Sequence, residues 1–262
     1  MQRVMLDTCY WIALAENPEK RVEFERLASR EDIEVWFSYG NFIDLAQAAE
    51  QDEMSEIIAS TVDVYVPAMD YEGDDYMTTD DPLGLIPEEM VRQHAAAETV
   101  DFGEMKTLRY IFRISDWSAE AHYEEMVQTA RGINDEFGFN NTLAATFLDE
   151  IEEDGDQAFL HEHELDILEY VRKVVEVYRV DMMQEEENID SNNVADMEIC
   201  AQAILTECDV LLIESKWKNL GLVDKVLSRL EGEQVEVEVQ DDLDAFLAGQ
   251  TVVEQVDQLG EE

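Results

Sequence analysis

The 262-residue chain carries 64 Asp and Glu against 17 Lys and Arg, a formal net charge of −47, with only four His. So acidic a balance excludes the basic stripe with which nucleic-acid-binding domains usually meet phosphate, and the polybasic face of a membrane-surface protein. It leaves a folded core available, because 46% of the residues are apolar and disorder requires low hydrophobicity together with high charge.

Acids are distributed along the whole chain rather than gathered in a block, and lysine is scarce even beside arginine. Two readings of the charge compete: an acidic functional surface such as a nucleic-acid mimic, and adaptation to the cytoplasm of a salt-in halophile. At molar salt the Debye length falls to about 3 Å and self-repulsion is heavily screened. The even spread of acids over the expected solvent faces favours the second. Three cysteines, Cys9, Cys200 and Cys208, are odd in number and lack metal-ligand spacing. They read as reduced core residues of a cytosolic protein. The opening residues lack the apolar run of a signal peptide, and no stretch has the length of a membrane span. A cytoplasmic protein with no membrane partner is therefore expected.

In chain order, Arg3 to Asp7 is a short apolar run of the kind that forms a buried strand. Thr8 to Glu16 has helical character, ended by Asn17-Pro18. Glu34 to Ser38 is a second strand, rich in β-branched and aromatic residues. Asn41 to about Ser60 reads as one amphipathic helix, and Val62 to Val66 as an extended piece. Residues 70–87, with their Gly, Pro and acids, read as a loop. From about 88 to 184 the periodicity is helical, with helices expected at Val100–Ile114, Ser118–Ile133, Asn141–Ile151 and His163–Met183. Alternation then resumes: helix Asn193–Glu207, strand Val210–Ile213, helix Lys216–Leu230, strand Val235–Val239 and a last helix Leu243–Ala248.

Alternating strands and helices at both ends imply an α/β domain with a mostly parallel sheet. The helical block between them reads as an insertion, since loop-closure entropy grows only slowly with length. The expected organisation is a core in two parts, 1–69 and 185–250, an all-helical insertion over 70–184, and an acidic C-terminal tail over 251–262.

Sites in open parallel sheets form at the carboxyl ends of strands, which selects a few acids from the many. Asp7 ends the first strand. Asp44 lies in the first turn of the helix after the second. Asp196 lies in the first turn of the helix leading to Val210–Ile213, and Glu214 follows that strand. Such carboxylates suit Mg²⁺ or Mn²⁺, hard cations held by a few oxygen ligands plus water. A clustered metal site can activate water and neutralise a phosphodiester. Thr8 can orient water or phosphate, or simply start its helix. Asp190 reads as solvated, and Asp209 precedes its strand and so belongs to the wrong edge. His161 and His163, at i and i+2, do not share a helix face. Trp11, Trp36 and Trp217 read as core or site wall, and Trp117 belongs to the insertion.

Several segments resemble the PIN domain family. Val4-Met-Leu-Asp7-Thr8-Cys-Tyr-Trp-Ile-Ala-Leu14 is similar to its opening strand and helix. Gly40-Asn-Phe-Ile-Asp44-Leu45 sits where the family places its second acid, usually Glu. Asn193-Val-Ala-Asp196-Met-Glu-Ile199-Cys-Ala201-Gln-Ala203 resembles its third-acid helix. Cys208-Asp-Val-Leu-Leu-Ile213-Glu-Ser215-Lys216-Trp217 is similar to its fourth strand and exit loop, and Val235 to Leu247 to its closing strand and helix. The likeness covers roughly the first 65 and last 70 residues.

The resemblance implies a PIN-like three-layer α/β/α core. It also implies a metal-dependent endoribonuclease acting on RNA, with Asp7, Asp44 and Asp196 on Mg²⁺ or Mn²⁺, Glu214 as a fourth catalytic acid, and Thr8 and Ser215 beside the ion. The family's Thr-x-Asp exit loop is replaced by Ile213 and Ser215, so either Glu214 substitutes or the fourth ligand is missing. The alternative is a catalytically degenerate module that binds protein or RNA through its insertion. A protein partner or antitoxin-like inhibitor fits the family, and a homodimer is compatible with the sequence. A third reading, an unrelated acidic interaction protein, requires that the four acids do not converge.

Overall fold

The computed structural model describes residues 1–45, 51–67, 71–72, 75–76, 78–85, 194–215, 223 and 236–250. Five strands form an all-parallel sheet in the order β3-β2-β1-β6-β7. They are β1 (Gln2–Leu6), β2 (Ile33–Ser38), β3 (Val64–Val66), β6 (Val210–Leu212) and β7 (Glu238–Gln240). Val4, Met5 and Leu6 of β1 and all three residues of β6 are buried. Both faces of a parallel sheet are covered, so its central strands are apolar runs instead of alternating ones.

Helix α1 (Thr8–Glu16) leaves β1 directly. Asn17 ends it and starts α2 (Pro18–Ala28), its Oδ1 accepting from the amides of Glu19 and Lys20 at 3.1 and 3.2 Å. Pro18 occupies the first helical position, where its missing N–H costs nothing. The sequence pattern did not announce α2, which holds only a few apolar residues. Phe24 and Leu27 carry it into the core, whereas Val22 is 64% exposed. Trp11 packs edge-on to Phe24 and tilted to Phe37, each at 5.8 Å between centroids, and is a core residue. Trp36 lies beneath the Arg3 guanidinium, 5.3 Å from its ring centre.

Within the span expected as one helix from Asn41, α3 (Tyr39–Leu45) and α4 (Gln51–Thr61) are helical, and residues 46–50 lie outside the described residues. The expected strand at Val235–Val239 is placed later, at Glu238–Gln240, and a helix, here α6, occupies 243–250. Residues 70–87 are not simply loop. Strands β4 (Tyr71–Glu72) and β5 (Asp75–Tyr76) pair antiparallel, and a 3₁₀ turn spans Pro82–Leu85. Thr79 exchanges backbone hydrogen bonds with Tyr65 of β3 (2.7 and 2.9 Å), and Leu85 is buried in the core, so the sheet edge draws on residues beyond position 69. The helices expected between 100 and 183 and at 216–230, with Trp117, Trp217, Asp190, His161, His163 and the acidic tail, lie outside the described residues, apart from Val223, which is helical and buried.

Helix α5 (Val194–Leu205) crosses α3 closely. A side chain at Gly40 would strike the Ala195 carbonyl and lie 2.7 and 2.9 Å from Ile199 Cγ1 and N, so only glycine permits this approach. Among the described residues no helix is long and apolar enough to cross a membrane.

The chain lays strands outward from β1 to β3, then returns to the other side of β1 for β6 and β7. The order therefore reverses between β1 and β6. In open α/β sheets the crevice beyond the carboxyl ends at such a reversal is where ligands bind.

Candidate active site

Asp7 occupies that reversal point. It follows β1, is only 2% exposed, and its amide donates to the Leu212 carbonyl at the end of β6 (2.8 Å). It is the N-cap residue of α1, yet its side chain makes no capping bond. Instead Oδ2 accepts from the backbone N–H of Glu214 at 3.0 Å and from the Cys9 thiol at 3.5 Å. Burial raises the Asp7 pKa above its ordinary value, and these hydrogen bonds offset the rise only in part. An ionised carboxylate so placed is costly without a positive partner.

Asp44 is the sixth residue of α3, which begins at Tyr39, so it is not in the first turn as expected. Helix α3 starts immediately after Ser38 of β2, earlier than the apolar periodicity suggests. Helix-dipole stabilisation therefore does not account for this acid. Asp44 is half-buried. Burial, and then the charge of Asp7, raise its pKa, while a hydrogen bond from the Thr8 hydroxyl lowers it.

Asp196 is in the first turn of α5, as expected, and is half-buried. Glu214 is exposed, and only its backbone N–H touches Asp7. Ser215 is also exposed and donates to Asp241 Oδ2 at 3.0 Å. Asp241 follows β7 and was not a sequence candidate; its placement beside Ser215 depends on the pairing of β6 with β7.

Cys9 measures how these acids gather. It was expected in the core with Cys200 and Cys208, which are indeed buried, but Cys9 is only half-buried. Burial raises its thiol pKa first, and the charges of Asp7, Glu214 and Asp196 add to the rise. Cys200, on α5, is raised by burial and by Asp196 and Asp7. The charge of Asp7 thus reaches Asp44, and Asp7 and Asp196 both act on Cys9 and on Cys200. Asp209, by contrast, is at the opposite edge, where its Oδ2 accepts from the Arg3 amide at 2.7 Å.

The chain matches no protein-family model, no curated protein and no solved structure.

Buried amides missing from the sequence reading hold the edge together. Asn41 is fully buried; its Nδ2 donates to the Leu6 carbonyl (2.9 Å) and to Thr8 Oγ1 (3.3 Å), and its Oδ1 accepts from the Ser38 amide (3.1 Å). Gln202 of α5, also fully buried, accepts at Oε1 from Ser38 Oγ (2.8 Å) and the Tyr39 amide (2.9 Å), and donates to the Pro67 carbonyl (2.6 Å). Ser38 Oγ accepts in turn from the Gly40 amide at 2.9 Å. The start of α3, the helix that carries Asp44, is thereby tied to the helix that carries Asp196.

Whether these residues suit a divalent cation is a matter of donor chemistry. Asp7 and Asp44 are hard oxygen donors. Each is disfavoured in its charged form by burial, and the charge of Asp7 further disfavours that of Asp44. A cation removes that penalty, and Mg²⁺ or Mn²⁺ needs only a few carboxylates beside water. Among the described residues no three His, Cys, Asp or Glu side chains stand together as a ready-made metal cage. The donors fit the ion by kind and charge.

Proposed function

We propose that this chain is a PIN-like, Mg²⁺- or Mn²⁺-dependent endoribonuclease that hydrolyses RNA phosphodiester bonds. The observation that carries the reading is the buried carboxylate of Asp7 at the strand-order reversal, its charge felt by Asp44 and its neighbourhood shared with Asp196. Asp7, Asp44 and Asp196 would hold the ion. When bound, it supplies water activation and neutralisation of phosphodiester charge.

The chain's own residues do the rest. The Glu214 amide holds Asp7 in place and helps keep it ionised. Thr8 favours the ionised form of Asp44. Glu214 and Ser215, exposed at the rim, meet substrate or outer water, and Ser215 is steadied by Asp241. The surface charge of −47 belongs to a protein working in the cytoplasm of a salt-in halophile, where repulsion of RNA is screened. An antitoxin-like inhibitor or other protein partner remains part of this reading.

The test is cleavage of RNA with Mn²⁺ in molar KCl by wild type and Asp7→Asn. Activity in the wild type that the substitution abolishes supports the proposal; equal activity in both overturns it. A second reading, the degenerate module, is favoured by the exposed Glu214. It predicts no saturable Mn²⁺ binding that depends on Asp196.

A further inference from the structure

A ring of hydrogen bonds closes around the end of β1. The Tyr10 amide donates to the Asp7 carbonyl (3.0 Å), the Glu214 amide donates to Asp7 Oδ2 (3.0 Å), and the Tyr10 hydroxyl donates to the Ile213 carbonyl (3.3 Å). The last two bonds meet on a single peptide unit, the link between Ile213 and Glu214. A trans peptide is planar, so its C=O and N–H point in opposite directions and holding one aims the other. A carbonyl only accepts, so the Tyr10 hydroxyl proton is committed to this bond. The preceding peptide unit is pinned separately, because the Ile213 amide donates to the Gln240 carbonyl of β7 (2.9 Å). What remains free is rotation of the Ile213–Glu214 plane itself. A flip of that plane would turn the Ile213 oxygen toward the Asp7 carboxylate and break both bonds. Tyr10 is 9% exposed and Ile213 1%, so water has little access to replace the hydroxyl.

We propose that Tyr10 is a positioning residue for the exit loop: its hydroxyl holds the Ile213–Glu214 plane so that the Glu214 N–H faces Asp7. Polarisation adds to orientation, because a carbonyl that accepts a hydrogen bond makes the N–H of the same peptide a stronger donor. Such chains gain about 10–30% in strength per bond. The Tyr10 ring belongs to the hydrophobic core, so Phe at this position keeps the packing and removes only the oxygen. Glu214 and Ser215, the exposed rim residues, follow directly on the plane, and Ser215 is tied onward to Asp241 (3.0 Å). A flipped plane would displace both rim side chains. Every bond in this arrangement lies within the protein and none needs a cation; only its consequence for cleavage rests on the function proposed above.

The experiment uses the full-length, isotope-labelled protein in molar KCl without divalent ions, comparing wild type with Tyr10→Phe. The readouts are the Glu214 amide nitrogen resonance and the exchange rates of the Glu214, Ile213 and Asp7 amide hydrogens. Tyr10→Phe should move the Glu214 resonance and speed exchange of its amide about 2- to 10-fold, the size of one lost hydrogen bond. The Ile213 and Asp7 amides, bonded to backbone carbonyls, should keep their rates. An unchanged Glu214 amide in a folded Tyr10→Phe protein overturns the proposal, as does equal speeding of all three amides, which a general loosening would give. If Tyr10→Phe does not fold, the wild type decides. A Tyr10 hydroxyl proton protected from water supports the proposal, and one that exchanges as fast as that of free tyrosine overturns it. With Mn²⁺ and RNA, Tyr10→Phe should cleave about 10-fold more slowly, as for other outer-sphere hydrogen bonds; equal rates overturn its bearing on the reaction. If the wild type cleaves no RNA, the hydrolase reading falls, while the amides still decide the role of Tyr10.

Discussion

The backbone N–H of Glu214 donates to Oδ2 of Asp7 at 3.0 Å, joining residues 207 positions apart in the chain. This bond places the start of the exit loop after β6 against the acid that ends β1. It uses the backbone of Glu214, so the side chain at 214 can change without breaking it. Glu214→Ala should therefore leave the fold intact, shifting stability by no more than about 0.5 kcal/mol, as for ordinary surface substitutions. Cleavage rates and thermal melts of this variant separate a catalytic carboxylate from a rim residue: a fourth catalytic acid loses activity on truncation, whereas a rim residue does not.

Asp7→Asn should abolish metal-dependent cleavage, by at least the roughly 100-fold seen even for outer-shell losses, while stabilising the metal-free fold. The substitution removes a buried charge and keeps an oxygen able to accept from Glu214. A gain of roughly 0.5–2 kcal/mol is the usual size of such a trade between stability and activity. Denaturant titration in molar KCl without divalent ions measures it; a less stable Asp7→Asn protein would contradict the account of Asp7 as a costly charge.

That difference should depend on pH. Burial raises the folded-state pKa of Asp7, and burial with the charge of Asp7 raises that of Asp44, both above the ordinary value of 3.8. An acid with a raised folded pKa binds its proton more tightly when folded. The stability it contributes is full below 3.8 and is lost as pH rises through the folded pKa. The advantage of Asp7→Asn over wild type should accordingly grow as pH rises from acid to neutral. Mn²⁺ should raise the wild-type Tm at neutral pH and have little effect at acid pH, where protons compete for the same oxygens. Melting curves across pH, with and without Mn²⁺, give both trends.

Gly40→Ala should cost about 1–3 kcal/mol, the usual range for overpacking, because its Cβ would press on the Ala195 carbonyl and Ile199 backbone N. Both partners are helix backbone and cannot rotate aside. Since the strain pushes α3 from α5, Mn²⁺ affinity should fall with stability. Asp209→Ala provides the control at the other edge. Losing its bond to the Arg3 amide should cost about 0.5–1.5 kcal/mol and leave Mn²⁺ affinity unchanged.

Sequence reading succeeded where the determinants were local. The apolar run ending at Asp7 and the Asn17-Pro18 break delimit β1 and α1 within a residue. It failed for α2, whose two buried residues, Phe24 and Leu27, leave too faint a periodicity to register against nine other positions. It misplaced Asp44 because the apolar pattern of α3 is clear only after the helix has begun. Among the acids, Asp7 stood out by directly following the apolar run Val4-Met-Leu6 of its strand. Asn41 and Gln202 gave no such signal: their partners lie 35 and 164 positions away, and a buried amide in a helix looks like any solvated one until the topology is known. Asp241 was hidden likewise, its partner Ser215 lying 26 positions away.

The two neighbours of β1 enter the chain at very different times. Strand β2 begins at Ile33, whereas β6 begins at Val210. At about 5–20 residues per second, synthesis passes from the end of β3 to the start of β6 in roughly 7–30 s. During that interval one edge of β1 has no β6 to pair with, and Asp7 lacks both the Leu212 carbonyl and the Glu214 amide. A chain still on the ribosome thus carries Asp7 and Asp44 without Asp196 and without the clamp that orders them. Order of synthesis alone keeps Asp7 and Asp44 from Asp196 and from the Glu214 amide throughout that interval.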